Sequence, residues 1–110
     1  MPVKVIVPNT FKIGALIFRI VNNESRLKIT DCRASTSILE QVVRLPGSKV
    51  TQEHATVLLF HEVLHIIEDL RGKDYDEEYA NVCSNFLVEF LSSLGIEFDF
   101  SNIKEETNGS

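Results

Sequence analysis

Cysteine is scarce. Cys32 and Cys83 are the only two, too few for a disulfide framework. They imply free thiols in a reducing compartment, so the expected location is cytoplasmic. Cys83 falls on the apolar side of a helical pattern, where a small buried hydrophobe is the expected role. Basic residues are few and scattered. Eleven Lys and Arg stand against sixteen Asp and Glu, a net charge of −5, and no cluster of them would follow a phosphate backbone. Nucleic acid is therefore not an expected partner. Long hydrophobic runs are missing too: every apolar stretch is short and broken by charge, so none is expected to span a membrane. No basic start followed by an apolar run precedes the first strand pattern, so no secretory signal is expected. No segment repeats itself and none is low in complexity.

What remains is an ordinary globular balance over 110 residues, 44% hydrophobic and 25% charged. That predicts one domain, 1–110, with a real core. The strand region covers about 3–45. Val3 to Val7 is a β-branched run closed by Pro8-Asn9, and Ala15 to Val21 is a second run after Gly14. Asn22 to Ser25 reads as a turn cluster, and Arg26 to Cys32 as either a strand or a loop. Arg33 to Ser37 and Gln41 to Leu45 flank Ile38-Leu39-Glu40 as a hairpin. Pro46-Gly47-Ser48 closes the region.

Helical periodicity then runs from about Thr51 to Leu70, with Ser48 or Thr51 as cap and Arg71-Gly72 as stop. Glu53 comes one position early for a capping box. A second helix is predicted from about Asp76 to Leu94, stopped by Gly95, with Asp76, Glu77 and Glu78 in its first turn. Its expected apolar face is Ala80, Cys83, Phe86, Leu87, Phe90, Leu91 and Leu94. Phe98 to Phe100 reads as a short packed extension, and a frayed tail is expected from about Lys104. Strands first and helices second make an α+β domain.

The chemistry is concentrated at His61-Glu62-Val63-Leu64-His65, an H-E-x-x-H on the first helix. Histidines four apart on a helix lie one turn above each other and can share one metal ion. The glutamate between them can take a proton from a metal-activated water. On the helical wheel His54, His61, His65 and Glu68 form a narrow stripe beside a broad apolar arc, so the core does not claim the histidines. A hydrolytic zinc site needs a third protein ligand. Glu77, in the first turn of the second helix, is the best-placed candidate; Asp76 and Glu78 are weaker ones. Asn81, one turn after Glu77, could hydrogen-bond a ligand, and His54 could reach the cleft.

His61 to His65, followed by Glu77-Glu78-Tyr79-Ala80-Asn81, resembles the H-E-x-x-H…E-x-x-A-N pairing of ImmA/IrrE-type metallopeptidases and their short phage-encoded relatives. The layout upstream, from Asn9-Thr10-Phe11-Lys12-Ile13-Gly14 through the β-rich runs, is similar to that of the short phage proteins. The resemblance implies a minimal zincin-like fold: a small antiparallel N-terminal sheet packed on the metal-bearing helix, with a second helix carrying the third ligand. It implies Zn2+ held by His61, His65 and Glu77 in gluzincin fashion, with Glu62 catalytic. The expected function is hydrolysis of a peptide bond in a protein substrate such as a phage or mobile-element regulator. Two other classes compete. A zinc-bound module that binds a regulator without cutting it would show a fourth protein ligand, for instance His54 or Cys83. A metal-free α+β domain would hold the histidines far from Glu77.

Overall fold

A computed structural model describes residues 2–47 and 49–107. Nine elements follow in order: β1 (Val3–Ile6), β2 (Thr10–Ile13), β3 (Leu16–Asn22), α1 (Glu24–Ile29), β4 (Ser35–Ser37), β5 (Val42–Leu45), α2 (Gln52–Leu70), α3 (Glu77–Ser93) and β6 (Ile96–Asp99). The result is an α+β fold, as the element order predicts, but with three helices where two are expected and with two sheets.

The four-stranded sheet is mixed and the two-stranded one parallel, where an antiparallel sheet is expected. In the four-stranded sheet, ordered β2-β3-β5-β4, the outer pairs are antiparallel and the central β3–β5 pair is parallel. The physical cause is α1, a helix where the sequence reads as turn, loop or strand. Asn23 caps it by accepting the Arg26 N–H at 3.1 Å. A Glu24–Lys28 ion pair at 3.0 Å spans one turn. With only Leu27 buried, six residues carry too little apolar periodicity to announce a helix. The crossover through α1 and β4 returns the chain to the end of the sheet where β3 began, so β5 runs parallel to β3. The expected β4–β5 hairpin is present, with Thr36 opposite Val43.

The second sheet joins the two ends of the domain: β1 pairs in parallel with β6, Val3 opposite Ile96. Within the described residues the tail is pinned through Lys104 and Glu106 rather than frayed. The backbone of Asn22 bonds Lys104 and Glu106 at 2.9 Å each. The Glu106 carboxylate takes Arg44 Nε at 2.7 Å and Nη2 at 2.9 Å, and Asn23 Nδ2 at 2.8 Å.

The core sits between the four-stranded sheet and α2. Phe18, Ile20, Val43 and Leu45 meet Leu58 and Ile66, with Ile103 from the tail closing one end. α2 starts at Thr51, whose hydroxyl accepts the His54 N–H at 3.1 Å. Glu53 takes no part in that cap; Ser48, the other cap candidate, lies outside the described residues. α3 packs differently from expectation. Its buried residues are Ala80, Ser84 and Val88, a stripe of small side chains that lets two helices approach closely. Phe86, Leu87, Phe90 and Leu94 are exposed. No described helix is long and apolar enough to cross a membrane.

Candidate metal centre

Helix geometry brings the first two donors together. The rings of His61 and His65 have centroids 4.6 Å apart with planes at 79°, and their Nε2 atoms approach to 3.0 Å. Two nitrogens held at about 2.0–2.1 Å by one tetrahedral ion would lie about 3.3 Å apart. Glu77 enters from the first turn of α3. Its Oε2 is 3.2 Å from His61 Nε2, and its Oε1 is 2.6 Å from His65 Nε2. Three donor atoms thus converge on one point. Imidazole lone pairs and a carboxylate pointed at each other are satisfied only by protons or a cation between them. Two imidazoles and one carboxylate form a donor set that suits Zn2+.

Glu68 organises this group from behind. Its Oε1 lies 2.7 Å from His65 Nδ1. A proton on Nδ1 donated to that oxygen leaves the Nε2 lone pair facing the other donors. Its Oε2 accepts the backbone N–H of Asp76 at 3.0 Å. Asp76 is the N-cap of α3, its own carboxylate accepting the Tyr79 N–H at 3.0 Å. One carboxylate therefore orients His65 and anchors the turn from which Glu77 projects. This also separates the three acidic candidates: Asp76 is used as a cap, Glu78 stays exposed outside the converging group, and Glu77 joins it. Glu68→Ala is expected to weaken zinc binding about 10–100-fold, read by competition with a chromogenic chelator. Glu68→Gln keeps one acceptor and should fall between that variant and the parent protein.

Glu62 is 7% exposed. The Thr36 hydroxyl on β4 donates to its Oε1 at 2.7 Å, which satisfies half of the buried carboxylate. Glu62, His61, His65 and Glu77 all line one cleft of about 720 Å³, walled by Ser35 and Thr36 on one side and by Asn81 and Asn85 on the other. Tyr75, from the α2–α3 connector, also lines it. Its ring lies tilted on His65, centroids 4.6 Å apart. Partial burial, and then the charges of Asp69, Glu62 and Glu68, hold its hydroxyl above the usual phenol range, so it remains an O–H donor at neutral pH.

His54 lines the cleft but stands outside the converging donors. Cys83 is half-buried and outside both. Asn81 is on the cleft wall without a hydrogen bond to Glu77. Sequence reasoning therefore names the residues that converge and misses their supports. Glu68 already lies on the histidine stripe, and its i, i+3 spacing from His65 carries the signal for its role. Thr36 has no local signal, because its approach to Glu62 depends on the β4–β5 register. Comparison with family models, curated proteins and solved structures finds no match to the chain.

Proposed function

We propose that this chain is a zinc-dependent peptidase of minimal zincin-like build, cutting a protein or peptide such as a phage or mobile-element regulator. The observation that supports the reading is a buried carboxylate, Glu62, set beside three converging donors in an open cleft. His61, His65 and Glu77 would hold the ion. Zinc bound there supplies Lewis acidity toward a scissile carbonyl and toward water. Glu62 accepts the proton of the attacking water and returns it to the leaving amine. Thr36 occupies Oε1 and so leaves Oε2 for that proton. Tyr75 is the candidate donor to the carbonyl oxygen.

The substrate would enter as a strand. β4 is an edge of the four-stranded sheet, paired among the described residues with β5 alone, and Ser35 and Thr36 line the cleft. An extended peptide added at that edge would run past Glu62 with main-chain hydrogen bonds and little demand on its side chains. The non-catalytic module would require a closed, four-ligand site. His54 and Cys83, the candidates for that ligand, both lie outside the three-donor group.

Incubating the zinc-loaded protein with a mixed peptide library and reading new termini by mass spectrometry tests this. Cleavage should stop with chelator and fall about 10²–10⁴-fold in Glu62→Gln, with zinc retained. Cleavage indifferent to Glu62, or none with zinc bound, would reject the peptidase reading.

A further inference from the structure

We infer that α3 carries a self-association surface, and that the chain pairs with a second copy through it, helix against helix and antiparallel. This inference does not rest on the peptidase reading. Tyr79, Cys83, Phe86 and Phe90 follow a 4-3-4 spacing, the period of a helix–helix seam. Leu87 and Leu94 flank it. Phe86 is 66% exposed, Tyr79 61%, and Phe90 and Leu94 58% each. A soluble surface rarely shows so many large apolar side chains on one helical face. They are exposed because the inward face of α3 is the small-residue stripe of Ala80, Ser84 and Val88.

Three observations select a second copy as the occupant. The first is area: covering this face on both copies removes about 1,200 Å² in total, the lower bound of a specific interface. The second is charge. The seam itself carries none, and the acids of α3 are Glu77 and Glu78 in its first turn and Glu89 on another face. An antiparallel pair opposes the helix dipoles and keeps the two acidic first turns at opposite ends. The lack of any Lys or Arg on α3 disfavours an anionic membrane as the occupant. The third is position. The seam lies on a different flank of α3 from Asn81 and Asn85, which line the cleft, so pairing leaves the donor group accessible.

Sedimentation velocity of the full chain from about 1 to 100 µM is expected to show a species of twice 12.4 kDa growing with concentration. The double substitution Phe86→Glu and Phe90→Glu should raise the dimer dissociation constant at least about 100-fold. Both side chains are exposed, so its circular dichroism and its zinc titration should match the parent protein. A 12.4 kDa species at every concentration, or a double variant that pairs like the parent, would overturn the inference. Zinc titration reports separately on the metal centre, so the two readings fail independently.

Discussion

His65→Ala is expected to lower zinc affinity about 10²–10³-fold, since structural zinc sites draw about 10–16 kcal/mol from four ligands and each ligand carries a share of it. Of the proposed ligands, His65 has most invested in the fold. It is 6% exposed, its Nδ1 is held by Glu68, and Tyr75 lies against its ring. His61→Ala should fall in the same range. Glu77→Gln should lose less, because Glu77 is 68% exposed and a water can take its place. Glu62→Gln is the counter-example: Glu62 is not among the converging donors and one of its oxygens is held by Thr36, so it should retain one zinc per chain. Elemental analysis after chelator treatment and re-addition of one equivalent reads all four variants. Stoichiometric zinc in His61→Ala or His65→Ala would remove the ligand assignment. The same series also reads on stability. Zinc at about 1,000 times its dissociation constant adds about 4 kcal/mol to the folded state, so the parent protein should melt higher with zinc than with chelator and the two histidine variants should not.

The second large effect lies far from the metal centre. Arg44→Ala is expected to cost about 3–5 kcal/mol, a large fraction of the about 5–15 kcal/mol that holds a domain of this size together. Arg44 is 2% exposed in the central strand β5. Its guanidinium takes both oxygens of Glu106 and one of Glu40. Truncating it strands the Glu106 carboxylate, 12% exposed at its side chain, without its cation. Arg44 holds Glu106 down to about 2 from an ordinary 4.5. The sign follows from a folded value below the unfolded one. Stability from Glu106 is present above about 4.5 and is lost as pH falls from there through about 2, on the order of 3 kcal/mol in all. Urea unfolding of the parent at pH 7 and pH 3 should show more than half of that loss, and Arg44→Ala should show less of it. An Arg44→Ala variant within about 0.5 kcal/mol of the parent, the scatter of ordinary surface changes, would show that the pair contributes little.

What the sequence revealed and what it hid divide along physical lines. His61, His65 and Glu77 were legible because a helix converts spacing into direction, and both helices carry caps and stops that place their ends. Thr51 and Asp76 act as N-caps, and Gly72 and Gly95 take the positive φ that follows a helix end. Glu77 already ranks above Asp76 and Glu78 by its place on the second helix; what the sequence does not show is that Asp76 is occupied as the cap of α3. The parallel β3–β5 pair was hidden because a six-residue helix reverses the chain with little periodicity to show for it. The inward face of α3 was misassigned because hydrophobicity ranks Phe86 and Phe90 above Ala80 and Ser84, whereas close helix packing selects for small size. The segment up to Glu106 reads as frayed because it is polar, and only a buried arginine on a distant strand, Arg44, shows why it is held.

The β1–β6 sheet has a consequence for how the chain is made. Val3 leaves the ribosome long before its partner Ile96, which lies 93 positions later in the chain. The end of β3 likewise waits for Lys104 and Glu106, and Arg44 waits for the same glutamate. Contacts this distant in sequence form late and slow folding. The histidine helix and α3 need no such wait, since Glu68 and Asp76 are close neighbours in the chain. A nascent chain that has emerged only as far as residue 93 would then have its donor group in place while β1 stayed unpaired. Tethered to the ribosome at that length, it should bind zinc and yet remain open to protease at Val3–Ile6.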